Sequence, residues 1–225
     1  MRRRLVPEIM DSAALSAERH ALALDGLRRI NRLSGIAGQL LDPILRFAGH
    51  STIRLLDVAS GGGDVPLALA RALRQRGMPV ELTLFDRSDV GLAKARAIDP
   101  NVRTYIGDAA ESLPDDGFNI VTCSLFLHHL DRETAIGVLS NMRQVTHGLL
   151  LVSDLRRCVG GLIAAEVICR LISRSDVVHY DGPASARAAW TIEEFRSMAD
   201  SAGLSGATIR RASPFRMLLQ WTRRE

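Results

Sequence analysis

The sequence has 225 residues, 47% hydrophobic and 24% charged, which suits one globular domain with a sizeable core. Aromatic residues make up 4%, so that core is aliphatic, and there is no apolar run of about 18 residues to cross a membrane. The net charge is +4, but the single lysine is Lys94 and the arginines are scattered without aromatic partners, which argues against a nucleic-acid surface.

Residues 1–50 read as helical. Met1-Arg2-Arg3-Arg4 has the charge of a secretion-signal start, but Pro7, Glu8 and Asp11 interrupt any apolar segment, so a cytoplasmic protein is expected. Ala13 to Leu33 carries apolar positions at helical spacing, with Arg28, Arg29 and Arg32 on the other side. A second amphipathic piece, Ile36 to Phe47, is expected to break at Pro43. Helices ahead of the first strand form a cap over a pocket, a contact in a homodimer, or plain packing.

From Ile53 strands and helices alternate, which implies a mostly parallel sheet covered on both faces. Ile53–Val58 is a strand. Val65–Arg76 is a helix stopped by Gly77, and Val80–Phe85 a strand ending at Asp86. Ser88 caps a helix that stops before Pro100, and Val102–Ile106 leads to Gly107-Asp108. Phe118–Cys123 is the fourth strand, Asp131 caps a helix to about Thr146, and Leu149–Val152 is the fifth strand. Leu162–Ile172 is a strongly apolar helix with a polar stripe through Glu166, Arg170, Ser173 and Arg174, expected to pack on the domain or line a pocket. Residues 175–190 read as a loop, and Thr191-Ile192-Glu193-Glu194 as a capping box opening the next helix. Ala207–Arg211 and Phe215–Trp221 close the chain as an antiparallel pair around Ser213-Pro214. Cys123, Cys158 and Cys169 form no metal or disulfide spacing and read as free thiols.

The organising stretch is Leu55-Leu56-Asp57-Val58-Ala59-Ser60-Gly61-Gly62-Gly63-Asp64, a buried strand turning sharply into a helix. Glycines there let a ligand lie on the main chain, and the helix N-terminus favours polar or anionic groups. A dinucleotide fingerprint fails because Pro66 holds the third glycine position, and a phosphate loop fails for want of a lysine. Asp57, four residues before Gly61, instead suits a cationic ligand end such as an ammonium. Asp86 lies 23 residues after Gly63, well placed for a ribose diol, and Asp108 after the third strand suits an adenine amino group. Three acids at three strand ends describe a ligand with an ammonium, a ribose and an adenine.

Asp57 to Asp64 resembles motif I of class I S-adenosylmethionine-dependent methyltransferases, with the D-x-A-x-G-x-G-D pattern of the quinone-biosynthesis branch. The resemblance covers about residues 50–155 by specific motifs and the tail more loosely. It implies a Rossmann-like, seven-stranded, mostly parallel α/β sheet with an antiparallel last strand, and S-adenosyl-L-methionine as cofactor. Residues 1–50 become an N-terminal helical cap on a methyltransferase domain over 51–225, with 155–190 as an acceptor lid. By the same resemblance Asp57 and Gly61 contact the methionine part, with Ala59 and Gly63 in that turn. Asp86, with Arg87 beside it, holds the ribose; Asp108 and Ala109 hold the adenine; Ser124 and Leu125 lie beside the sulfonium.

For the acceptor, Leu127-His128-His129-Leu130 follows the fourth strand, and its pair resembles the histidine of small-molecule O-methyltransferases, with His128 at the matching place. A neutral histidine there could take a phenol's proton, from a group with a pKa of about 10. His179, held by Asp181 in an extended loop, is a second candidate, and Asp154 could orient an acceptor hydroxyl. Ser124-Leu125-Phe126-Leu127 stands where amino-methylating nucleic-acid enzymes of this fold carry N/D-P-P-Y/F. The expected function is therefore methylation of a small, apolar, aromatic acceptor (phenolic, quinol or polyketide-type), by O- rather than C-transfer and without a metal. An RNA-modifying enzyme and a non-catalytic cofactor-fold interaction domain are the alternatives.

Overall fold

The computed structural model describes residues 1–12, 15–49, 51–213 and 215–223; Ala13, where the first helical pattern begins, and Pro214 of the closing turn lie outside them. The strands are β1 (Ile53–Val58), β2 (Val80–Asp86), β3 (Arg103–Ile106), β4 (Phe118–Ser124), β5 (Thr146–Leu155), β6 (Thr208–Ala212) and β7 (Arg216–Thr222). They form one seven-stranded sheet in the order β3-β2-β1-β4-β5-β7-β6. Pairs among β1 to β5 are parallel, whereas β7 runs antiparallel to both β5 and β6. The short turn after β6 forces that inversion, because a tight connection can join only antiparallel neighbours.

Helices cover both faces: α1 (Ala17–Leu33), α2 (Ile36–Ala48), α3 (Asp64–Arg74), α4 (Asp89–Ile98), α5 (Arg132–Val145), α6 (Val159–Ile172), α7 (Asp176–Ala188) and α8 (Ile192–Ser201). The central strands are apolar throughout because each residue's neighbour faces the opposite layer. Leu56, Val121 and Leu150 pack with Val138, Leu139 and Phe195 of α5 and α8. Leu55, Ile120 and Leu149 pack on the other side with Leu40, Ile44 and Leu69 of α2 and α3. A smaller cluster joins Ala23 of α1 to Cys169 of α6 and Val177 and Val178 of α7.

The expected caps are present. Ser88 accepts from Gly91 N at 3.2 Å, Asp131 from Thr134 N at 2.9 Å, and Thr191 and Glu194 bond reciprocally. Two expected interruptions of helix are absent. Pro43 lies inside a continuous α2, and the stretch expected as a loop over 175–190 is mostly α7, with Pro183 in its interior. Ser175 caps α7, and Gly182 lets α6 approach: a Cβ there would stand 2.3 Å from Cys169 Sγ. Tertiary packing thus outweighs the hydrogen bond that a helix-interior proline removes. The apolar face of α6 is divided rather than buried as one stripe: Ile168 and Cys169 face inward, while Val159, Ile163, Val167 and Leu171 are exposed. Among the described residues no helix is long and apolar enough to cross a membrane.

Gly63 joins β1 to α3 with φ +76°, and a Cβ on it would meet Ala95 Cβ at 2.9 Å. Gly63→Ala is therefore expected to destabilise the fold by roughly 1–3 kcal/mol, measurable as a lower urea midpoint at an unchanged slope.

Candidate functional site

The turn after β1 and the segment after β4 face one cavity of about 490 Å³. Asp57, Ala59 and Gly61 reach it from the first; Ser124, Leu125, His128 and His129 reach it from the second. Ala59 and Leu125, each just past its strand, both have φ +56°. Such backbone costs ~1–3 kcal/mol per residue without glycine, and it turns both chains off adjacent strand ends to leave an open crevice. Leu27 and Ile30 of α1, with Ala164, Ala165 and Ile168 of α6, supply an apolar wall.

Asp57 pairs with Thr122 in the β1–β4 register, and Thr122 Oγ1 donates to its carboxylate at 2.5 Å. Burial pushes this carboxyl up to about 7, and the Thr122 hydroxyl offsets only part of the rise. It stands half-ionised near neutrality, ready to be drawn into the charged form by a cation. Beside it, built Cβ atoms on Gly61 and Gly62 meet nothing within 4 Å, so open space lies over this turn. On the facing side Ser124 Oγ is buried and has no hydrogen-bond partner among the described residues.

The other expected cofactor residues lie outside that cavity's lining. Asp86 ties β2 to the glycine turn, accepting from Gly61 N at 2.7 Å and Ser88 N at 2.8 Å. Asp108 is exposed and closes a turn through Ala110 N at 2.8 Å, Ala109 is buried, and Arg87 is exposed. Gly63 packs into the core. Asp86 and Asp108 do follow the adjacent strands β2 and β3, along the same sheet edge as Asp57.

His128 sits in a 3₁₀ turn (Leu127–His129) and is 3% exposed. Its Nδ1 lies 2.6 Å from Asp154 Oδ1, and its backbone N donates to Asp154 Oδ2 at 3.1 Å. Asp154, near the end of β5, is itself buried and also accepts from Leu155 N at 2.6 Å. Burial pulls the His128 pKa down, but the Asp154 charge and hydrogen bond together leave it above the usual value. For Asp154, burial pushes upward and the histidine outweighs it, so the carboxyl lies below its ordinary range. The sequence supplied both residues but not their pairing, which requires the β4–β5 neighbourhood.

His129 differs. Burial, with the adjacent His128, lowers its pKa to about 3, so it stays neutral, and its Nδ1 lies 3.5 Å from Glu8 Oε1. Ser185 Oγ donates to that Glu8 carboxylate. Donor atoms of Glu8, His128 and His129 lie within 4.8 Å of one another, a grouping that could take a divalent cation. Glu8 arrives on the N-terminal segment, which is held where Asp181 accepts from Ile9 N at 2.8 Å and Met10 N at 3.0 Å. Arg3 adds three hydrogen bonds, to the carbonyls of His128, Leu130 and Ala188, and stacks 3.4 Å over Trp190.

The expected His179–Asp181 pair does not form. Both lie on α7, where residues two apart project to nearly opposite sides. Nε2–H of His179 donates to the Ser173 carbonyl at 2.8 Å, and the residue lines a separate surface cleft with Arg170 and Arg187. Cys123 is buried with its thiol pKa raised by desolvation, which leaves it protonated and no nucleophile.

Residues 55–147 match a family model described as "Methyltransferase domain". Over these residues the chain is similar to methyltransferase domains. The ubiquinone/menaquinone biosynthesis C-methyltransferase UbiE of Rickettsia massiliae (strain Mtu5) is 34% identical over 96 residues, covering 40% of this chain and 39% of that protein. The match thus spans about two fifths of that curated relative. Among solved structures, the S-adenosylmethionine-dependent methyltransferase SibL superposes with TM-score 0.70 at 18% identity, over 99% of this chain and 64% of that one. Magnesium protoporphyrin IX methyltransferase (ChlM) from Synechocystis PCC 6803 gives 0.61 at 15% identity, over 96% and 91%. These likenesses show a shared fold over nearly the whole chain.

Proposed function

We propose that the chain is an S-adenosyl-L-methionine-dependent methyltransferase acting on a small, largely apolar phenolic, quinol or polyketide-type acceptor, by O-methylation. The buried His128–Asp154 pair, whose histidine lines the cavity that the glycine turn also enters, carries this reading. The open space above Gly61 and Gly62, the unpartnered Ser124 Oγ and the half-ionised Asp57 suit the cofactor's methionine end. Asp57 would hold the ammonium; Asp86 and Asp108 would hold the ribose and adenine further along the sheet edge.

When bound, the cofactor supplies an electrophilic methyl group on a sulfonium. The protein has then to place an acceptor oxygen and remove its proton. Asp154 takes the Nδ1–H of His128, which leaves the Nε2 lone pair as the base for the acceptor hydroxyl. His129, with a pKa near 3, is too weak a base for that step and serves instead as a neutral wall of the site. We read α1, α6 and the N-terminal segment as the cover that excludes water from the acceptor.

Titration calorimetry with S-adenosylhomocysteine (SAH) tests the cofactor half. Micromolar binding is expected, and Asp86→Ala should weaken it at least tenfold, since its carboxylate also anchors the Gly61 amide. Absence of binding at high micromolar SAH would remove the methyltransferase reading.

A further inference from the structure

Arg216 opens β7, a strand that is otherwise apolar through Met217, Leu218 and Leu219. It is 4% exposed and lines the same cavity as His128. Nη2 donates to Ser34 Oγ at 2.9 Å, but Nε and Nη1 are buried without any hydrogen-bond partner among the described residues. Arg156, whose backbone N donates to Phe215 O at 2.9 Å, lines the cavity as well, and its Nε is likewise buried and unpartnered. Two guanidinium groups therefore border one cavity with unmet donors.

Unmet donors on a buried cation are costly, and a planar guanidinium fork matches a carboxylate better than any neutral group. Burial lowers the Arg216 pKa to about 10, which keeps it cationic at neutral pH. Among the described residues no carboxylate forms an ion pair with it, and Asp154 is committed to His128. The sheet order decides which ligand these donors serve. Arg216 on β7 adjoins Leu155 on β5, beside Asp154, whereas the glycine turn follows β1, three strands away. At about 4.8 Å per strand, that is roughly 14 Å from the methionine end. The donors belong to the acceptor's half of the cavity.

We propose that Arg216, assisted by Arg156, recognises a carboxylate on the methyl acceptor, which makes the acceptor an aromatic hydroxy acid. The inference rests on the methyltransferase reading for the acceptor's role, but the anion site can be tested without turnover. Salicylate, 3-hydroxybenzoate and 6-hydroxy-2-naphthoate, each against its own carboxamide, are titrated calorimetrically into the full chain with and without saturating SAH. At least one acid is expected to bind ten times or more tightly than its amide. Arg216→Gln should abolish that preference, and Arg216→Lys should keep part of it. The proposal is overturned if no acid is preferred, or if the preference survives Arg216→Gln. Should Arg216→Gln fail to fold, as judged by circular dichroism, Arg216→Lys and Arg156→Gln take its place, and an undiminished preference in both overturns the proposal. SAH titrated into the same samples reports separately: an Arg216-dependent acid preference without SAH binding leaves the anion site standing and removes the methyltransferase reading.

Discussion

His128→Ala is expected to lower the methyl-transfer rate by about 10²–10⁴ while SAH affinity stays within about twofold. His128 lines the cavity, and on the proposed function its loss removes the base without altering the glycine turn. Asp154→Asn separates a positioning role from a structural one. Without the carboxylate, burial, aided by the Arg216 charge, outweighs the smaller opposing effect of Glu8, and the His128 pKa falls. The acidic limb of the pH–rate profile, expected in the wild type above the usual histidine value, should then move to lower pH as the plateau drops. Stability gives a second readout. The lowered Asp154 pKa contributes stability that is lost as pH falls through its folded value, and the raised His128 pKa contributes stability that is lost as pH rises through its own. The wild-type advantage over Asp154→Asn should therefore be greatest between about pH 4 and 6.5. An unchanged rate for His128→Ala would remove it from the reaction.

The Asp57→Asn variant is expected to be more stable than the wild type yet poor at binding cofactor. The Asp57 carboxyl is raised to about 7 in the folded chain, against an ordinary 3.8. That sign makes ionisation a folding penalty: it grows as pH rises from about 4 and is complete above about 7. Asparagine avoids it, so the ligand-free variant should gain roughly 2–4 kcal/mol at pH 8 and almost nothing at pH 4. An ammonium bound beside the carboxylate lowers the pKa again, so SAH binding near pH 7 should release about half a proton. Calorimetry in buffers of different ionisation enthalpy measures that release. In Asp57→Asn the release should vanish and SAH affinity should fall by ~10–100-fold. Proton release that persists in the variant would place the ammonium elsewhere.

Local signals carried most of the architecture. Ser88, Asp131 and the Thr191–Glu194 box mark helix starts because a cap bonds residues two or three positions away. The glycine turn and the acids at or beside the C-terminal ends of β1, β2 and β3 were legible for the same reason: each is a strand-end feature written in consecutive residues. The local rule failed at Pro43 and over 175–190, where long-range packing outweighed a proline's cost and put His179 and Asp181 on different sides of α7.

By itself the sequence determined the sheet class, the antiparallel close and the seat of the glycine turn, since periodicity, caps and turn chemistry act over a few residues. Only the tertiary structure decided the acceptor half of the site. His128 meets Asp154 across 26 positions, Glu8 enters from the N-terminal segment, and Arg216 reaches the cavity from β7. Each of those meetings depends on strand order and burial, which bring together residues that carry no common local pattern.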